Sequence, residues 1–262
     1  MRGGSTRAGR WAVAFIVALA ACAVAAPSAR AAEIKVLSAG AVKDIVTELS
    51  EAFHRETGHT VVLTTGTAGG IRQKVTAGDP ADVVIVTDTV LAQLASAGLI
   101  VVDSKADVAR TGIGVAVKEG APKPDISTPD AFKQAILAAK SIVYLDPASG
   151  ATSGIYFASV LQRLGIADAV KDKTVLWPGG FAAEAVAKGQ ADLCVHQISE
   201  ILPVKGVTLV GPLPRDLQKI TTYSAALSTR AATPAAARDF IAFVTRPSFK
   251  PKFAAAGLDY RE

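Results

Sequence analysis

The sequence has few of the residue types on which several functions depend. Its 262 residues include 2 cysteines and 2 tryptophans. Cys22 and Trp11 lie in an N-terminal segment with the pattern of a cleaved leader, so Cys194 and Trp177 remain in the rest of the chain. One cysteine excludes an internal disulfide and a cysteine metal cluster. One tryptophan leaves few of the aromatic platforms that carbohydrate sites use, so sugar is a poor candidate ligand.

An excess of positive charge is also missing once the leader is set aside. The chain carries 28 Lys and Arg against 23 Asp and Glu, and four of the arginines, Arg2, Arg7, Arg10 and Arg30, fall within the first 31 residues. The remaining chain is close to neutral, which excludes the basic surface typical of nucleic-acid-binding proteins. It also excludes electrostatic binding to an anionic membrane. A bound anion must therefore be held by local donors.

The N-terminus has the three parts of a secretory signal. Basic residues precede an apolar run over 11–26, and the small-residue site Ala29-Arg30-Ala31 follows Pro27. We predict a signal peptide over residues 1–31 and a periplasmic location; the run is too short for a confident membrane span of about 20 residues. The alternative is Leu19-Ala20-Ala21-Cys22, which resembles a lipoprotein processing box and would leave the protein anchored at a lipidated Cys22.

From Ile34 onward, short β-rich runs alternate with segments of helical period, which predicts an α/β fold with parallel sheets covered on both faces. Strands are expected at 34–37, 61–64 and 83–87, and a helix between the first two ends at Gly58. A second series of the same kind begins near Gly112. About 230 residues is large for one α/β core, so two lobes with a cleft between them are expected.

Three loops follow predicted strands and open predicted helices, and each consists of small or hydroxylic residues. Ligands of open α/β sheets bind at such strand ends, where a close backbone approach and the free N–H groups of a helix N-terminus favour an anion. The structural alternative is that Gly, Ser and Thr serve there only as turn and cap residues. The candidate ligand-binding residues in these loops are Ala39, Gly40, Ala41, Thr67, Ala68, Gly69, Ser149, Gly150, Thr152 and Ser153.

Sequence templates for catalysis are absent. There is no Gly-x-Ser-x-Gly elbow, Walker A loop or Gly-x-Gly-x-x-Gly motif, so we predict a protein that is not an enzyme and uses no cofactor or metal. One alternative from a different class remains open. His196 and Glu200 have a spacing that would suit an acid–base pair, and with them the chain would be a secreted hydrolase.

The motifs resemble those of the periplasmic molybdate-binding proteins and their relatives among type 2 solute-binding proteins of ABC transporters. The resemblance covers essentially the whole chain after the leader. It implies a two-lobe type 2 periplasmic binding protein fold with a ligand cleft and a hinge that closes like a Venus flytrap. It implies lobe 1 at 32–112 plus 220–262 and lobe 2 at 113–219. The motifs that carry it are 36–53, Glu56-Thr57-Gly58, 77–83, Asp146-Pro147-Ala148, Gly154-Ile155-Tyr156 and 188–192.

The resemblance implies an extracytoplasmic monomer that delivers a small anion, of the molybdate or tungstate type, to an inner-membrane ABC transporter permease. The site departs from the family, because the first-loop serine falls at Ala41 and the late tyrosine falls at Gln197, which we add to the candidate ligand-binding residues. Fewer hydroxyls and a carboxamide would equally suit a small organic carboxylate. Arg72 or Arg110 would then be the counter-charge if either reaches the cleft.

Overall fold

The computed structural model describes residues 31–260. Residues 1–30, with most of the predicted signal peptide and Cys22, lie outside the described residues. Within residues 31–260 no helix is both long and apolar enough to cross a membrane. The strands form two sheets, of six and of five members, as expected for an α/β chain with two lobes.

The first sheet has the strand order β11-β4-β10-β3-β1-β2. Strands β1, β2 and β3 are parallel, as predicted, whereas β10 runs antiparallel to both β3 and β4, and β11 is antiparallel to β4. The expectation of a wholly parallel sheet is therefore wrong for this edge, because the returning C-terminal strand enters from the other lobe. Its strands are β1 Glu33–Ala39, β2 Thr60–Gly66, β3 Val83–Thr87, β4 Ala106–Thr111, β10 Thr221–Leu227 and β11 Asp259–Tyr260.

Five helices belong to this part of the chain. The first buries a face of Ile45, Val46, Leu49 and Phe53 and ends at Gly58, whose φ of 76° favours glycine, as predicted. Phe53 packs edge-on against Phe240 and Phe243 of the fourth of these helices and so joins them in one core. The helices are α1 Lys43–Thr57, α2 Ala68–Ala77, α3 Asp88–Ser96, α9 Pro234–Val244 and α10 Lys250–Ala255.

The second sheet has the order β7-β6-β8-β5-β9. Here β6, β7 and β8 are parallel, and β5 is antiparallel to β8 and β9, so this sheet too is mixed rather than parallel throughout. Its strands are β5 Ile113–Lys118, β6 Ile142–Leu145, β7 Thr174–Trp177, β8 Leu193–Gln197 and β9 Val207–Pro212. Its helices are α4 Pro129–Ala138, α5 Thr152–Arg163, α6 Ala167–Val170, α7 Ala183–Ala187 and α8 Ile198–Ile201.

The chain passes between the two sheets twice, once at Gly112 and once through residues 213–220. The side-chain amide of Gln218 joins the two passages: its Oε1 accepts from the N–H of Ile113 and its Nε2 donates to the carbonyl of Ile113, each at 2.8 Å. This pair of bonds resembles one rung of a β-ladder made by a side chain. The predicted limits of the lobes, at 112/113 and 219/220, stay a prediction.

Candidate functional site

A cavity of about 300 Å³ lies between the loops of the two sheets. Its walls come from the segments that follow β1, β2, β6, β7 and β8 and from β10. Eight of the eleven residues predicted to bind ligand line this cavity. They are Ala39, Gly40, Ala41, Thr67, Ala68, Thr152, Ser153 and Gln197.

Three helices of ten residues or more begin at this cavity. Thr67 caps α2 through its side chain, which accepts a hydrogen bond from Gly70 N, and α5 begins at Thr152. The first helix, α1, follows the short turn over 40–42. The N–H groups of a first helical turn have no acceptor within the helix, and the helix dipole is positive at that end. Together they make the cavity suitable for an anion.

Gly69, Ser149 and Gly150 lie outside the lining of this cavity and form a contact between the two loops instead. The N–H of Gly69 donates to the carbonyl of Gly150 at 3.1 Å, and Thr67 Oγ1 donates to the carbonyl of Ser149 at 2.5 Å. A Cβ added at Gly69 would lie 2.7 Å from Gly150 Cα, so only glycine permits this approach. These contacts join the loops of the two lobes. The predicted contact of Gly69, Ser149 and Gly150 with ligand stays a prediction.

Gln197 and Tyr223 form a buried polar pair at the cavity wall. Gln197 is 1% exposed and its Nε2 donates to the Tyr223 hydroxyl at 3.2 Å. Among the described residues no group donates to Gln197 Oε1, although this atom is buried. Burial raises the pKa of Tyr223 well above its ordinary value, so the phenol keeps its proton. The pair therefore places a protonated phenol and a buried amide at the cavity wall.

Glu200, on α8, is the buried carboxyl group of the cavity lining. It is 6% exposed, and burial raises the pKa of Glu200 from 4.5 to about 8, with a further contribution from Asp44. At neutral pH the carboxyl is therefore mostly protonated and can donate a hydrogen bond rather than repel an anion. Gly40 makes room for it, because a Cβ there would lie 2.8 Å from Glu200 Oε1.

His196 is fully buried and lies behind the lining of the cavity. Its Nδ1 accepts from the N–H of Gln197 at 2.8 Å, so the proton is on Nε2, which donates to the carbonyl of Gly180 at 3.1 Å. Burial lowers the pKa of His196 to about 4, and the ring is neutral. Glu200 Oε2 lies 3.6 Å from Nδ1. The hydroxyl of Ser153, which lines the cavity, also lies 3.3 Å from Nδ1. Because Nδ1 already accepts from a backbone N–H and Nε2 donates to a backbone carbonyl, this geometry favours a structural histidine over the base of a hydrolase.

The cation at this cavity is Lys43, at the start of α1. Its ammonium group lies 5.5 Å from the centroid of the Phe181 ring, which belongs to the other lobe. Arg72 lines a different cavity, and Arg110 lies on β4 outside the lining. Neither of the arginines considered from the sequence is therefore the counter-charge at this cavity. Glu184 also lines the cavity and forms an ion pair with Lys188.

Comparison with known proteins identifies the family. Residues 34–259 match the model of the bacterial extracellular solute-binding proteins. The chain belongs to this family. Its members are extracytoplasmic proteins of ABC transporters that bind small solutes, anions among them, and work with membrane permeases. The resemblance to the molybdate-binding proteins noted from the sequence is thereby confirmed at the level of the family.

Individual relatives of this solute-binding protein have different names. A protein of Pseudomonas sp named aconitate isomerase is 33% identical over 217 residues, which are 80% of this chain and 81% of that protein. The molybdate-binding protein of Azotobacter vinelandii is 28% identical over 248 residues, covering 91% of this chain and 92% of that protein. A solved structure of the periplasmic molybdate-binding protein of the same organism has a TM-score of 0.74 at 22% identity and covers 87% of this chain and all of that one. These relatives agree in fold and leave the ligand unspecified.

Ten residues that line this solute-binding protein's cavity were not predicted to bind ligand, and three of them show why. Phe181 follows β7 in the loop Pro178-Gly179-Gly180, the same arrangement of strand, small-residue loop and helix that marked the other three loops, so a signal was present. Lys43 was not predicted because a short turn over 40–42 precedes α1 and extends the cavity wall beyond the loop residues that the sequence indicated. Tyr223 lies within a buried strand, and no pattern distinguishes it from a core residue.

Proposed function

We propose that this solute-binding protein binds a small organic anion with two or more carboxylate groups. The observation that carries the proposal is Glu200, a buried and mostly protonated carboxyl that lines a cavity with three helix N-termini. One carboxylate of the ligand accepts from the helix N–H groups, and another accepts from the Glu200 carboxyl or the Tyr223 hydroxyl. Lys43 adds a positive charge at the cavity.

The walls suit a carbon skeleton better than a bare oxyanion. A volume of about 300 Å³ is at the lower end of the range in which proteins hold small organic molecules. Apolar side chains make up a third of the lining, whereas a tetrahedral dianion needs donors on every side. The apolar members of the lining are Ala39, Ala41, Ala68, Leu145, Ala151 and Phe181.

The relatives support the same ligand class. Aconitate, the compound in the name of the Pseudomonas relative, is a tricarboxylate. The relative named for molybdate is 28% identical, against 33% for the relative named for aconitate. We further propose that the chain is exported, as the leader predicts, and passes its ligand to an ABC transporter permease.

Titration calorimetry with a panel of anions tests the ligand class. The panel is cis-aconitate, trans-aconitate, tricarballylate and succinate against molybdate, tungstate and sulfate. We expect polycarboxylates to bind at pH 6.5 and to bind progressively more weakly as the pH rises through 8, because Glu200 then loses the proton it donates. Glu200→Gln, which keeps an N–H donor, should bind without that decline. Binding of molybdate or tungstate with no response to any carboxylate would refute the proposal.

A second candidate function is isomerisation of the bound carboxylate, and Glu200 is again the observation that favours it. A carboxyl with a pKa of about 8 gives up and regains a proton at neutral pH, which is the property of a general acid–base residue. The step would be a 1,3-proton shift. The carboxylate form of Glu200 takes a proton from a CH₂ group beside a carboxylate, the double bond moves by one position, and Glu200, after exchange of its proton with solvent, gives a proton to the far carbon.

Proton NMR in D₂O separates this candidate from binding alone. An isomerase converts either isomer of aconitate into a mixture and exchanges carbon-bound protons for deuterium, and Glu200→Gln should bind the substrate but abolish both signals. Glu51→Gln, an exposed position on α1, is the matched control and should behave as the wild type. Absence of both conversion and exchange, with binding intact, would leave the protein a solute-binding protein without this activity.

A further inference from the structure

Lys43 lines the cavity of about 300 Å³ between the two sheets, and no carboxylate within residues 31–260 pairs with its ammonium group. The lysines of that part of the chain that do form ion pairs are Lys74, Lys105, Lys188 and Lys252. The acidic side chains of the lining have other roles. Glu184 pairs with Lys188 at 2.8 Å, and Glu200 is mostly protonated at neutral pH. The charge of Lys43 is therefore available to a ligand.

The ring of Phe181 is the group that the structure places beside this ammonium, at 5.5 Å from the ring centroid. Phe181 follows Gly180, whose φ is 72° and whose carbonyl accepts from Nε2 of the buried His196 at 3.1 Å. A buried side chain thus fixes the loop that carries the ring. A ring face attracts a cation without neutralising its charge. The contact therefore holds Lys43 at the cavity wall and leaves its charge open to a carboxylate.

The other donors at the cavity come from different segments and differ from Lys43 in charge. The N-termini of α2 and α5 lie at one part of the lining, and each is equivalent to about half a positive charge. Glu200 and Tyr223, from α8 and β10, are donors without net charge. Lys43, at the start of α1, supplies one full positive charge. The cavity thus has three kinds of donor group on separate elements, which suits three carboxylates.

We propose that Lys43 binds a third carboxylate of the ligand and so selects tricarboxylates over dicarboxylates. The inference rests on the proposed function, in which the helix N-termini hold one carboxylate and the neutral donors hold another. A third carboxylate accepts from the Lys43 ammonium, which until then has only the ring of Phe181 as a neighbour. A dicarboxylate leaves that ammonium with the ring alone and gains nothing from its charge. Lys43 is thus a specificity-determining residue.

Titration calorimetry with a matched pair of ligands at pH 7.0 tests this role. Tricarballylate and glutarate have the same chain with a carboxylate at each end, and tricarballylate has a third carboxylate on the central carbon. We expect the wild type to bind tricarballylate about fivefold more tightly, which is the upper range for an exposed charge pair. Lys43→Met keeps an apolar stem that can lie against Phe181. It should lose this preference without weaker binding of glutarate.

Two further variants separate the charge of Lys43 from other effects. Lys43→Arg keeps a positive charge at the same position and should retain the preference for tricarballylate. Lys123→Met removes the charge of an exposed lysine outside the cavity lining. It should also retain the preference, and it is the matched control for a change of net charge. Circular dichroism checks that each variant is folded.

The outcomes distinguish a failure of this inference from a failure of the proposed function. Equal affinity of the wild type for the two ligands, or a preference that survives in Lys43→Met, would overturn the role of Lys43 alone. An equal loss for both ligands in Lys43→Met would also overturn it, because Lys43 would then hold a carboxylate that both ligands have. Binding of neither ligand by the folded wild type would refute the proposed function and this inference with it.

Discussion

The protonation of Glu200 predicts an unusual dependence of folding stability on pH. The pKa of Glu200 is about 8 in the folded protein against an ordinary value of 4.5, and this difference corresponds to about 5 kcal/mol. A raised pKa means that folding favours the protonated form. The stability is therefore fully present below pH 4.5 and is lost as the pH rises through 8; at pH 7 about 3 kcal/mol is already lost.

His196 acts in the opposite direction over part of this range. Its pKa is about 4 in the folded protein against an ordinary value of 6.5, so its contribution is present above pH 6.5 and is lost as the pH falls through 4. Between pH 4.5 and 6.5 the two effects oppose each other. From pH 6.5 to 8 Glu200 acts without this opposition, and the free energy of unfolding should fall by about 1.4 kcal/mol per pH unit at first and by about half of that near pH 8.

Urea unfolding followed by circular dichroism at pH 6.5, 7.0, 7.5 and 8.0 measures this slope. We expect a decline of about 2 kcal/mol across the series for the wild type and a flat profile for Glu200→Gln, which has no proton to lose. Glu51→Gln is the control and should decline as the wild type does. A decline in Glu200→Gln as steep as in the wild type would refute the assignment of the pH dependence to this carboxyl.

Two further predictions concern the cleft. Gly69→Ala places a methyl group 2.7 Å from Gly150 Cα, so the loops cannot meet; we expect a larger radius of gyration by small-angle scattering and about tenfold weaker ligand binding, whereas Gly179→Ala, with nothing within 4 Å, should change neither. Gln197→Ala removes the partner of Tyr223 and should weaken binding by at least about tenfold in calorimetry. Unchanged affinity in a folded Gln197→Ala protein would show that this amide does not contact the ligand.

Local patterns predicted the elements of the fold well, because they record which faces are buried. The face of α1 and its end at Gly58 follow from apolar spacing and a left-handed glycine. The antiparallel course of β10 was not predictable in this way. Pairing in a sheet depends on residues distant along the chain, and β10 joins β3 and β4 after the chain has built the whole other lobe.

The loops of the candidate site were predicted from the sequence. The residue whose protonation depends on its burial was not. Small residues after three strands indicated the anion site, and eight of the eleven chosen residues line one cavity. Glu200 was considered only as a partner of His196, because carboxyl groups are mostly exposed and nothing in the sequence marks this one as buried. Its raised pKa results from packing between α8 and the first loop, a contact between lobes that a linear pattern does not record.

The bonds between Gln218 and Ile113 have a consequence for the way in which the lobes would move. Two backbone strands that crossed side by side without a tie would be free to slide past each other. Here one side chain holds both polar groups of a residue on the other passage at 2.8 Å. Such a tie tolerates twisting about the line that joins the two passages and resists their separation. The two passages would therefore rotate together as one hinge, held together by the side chain of Gln218.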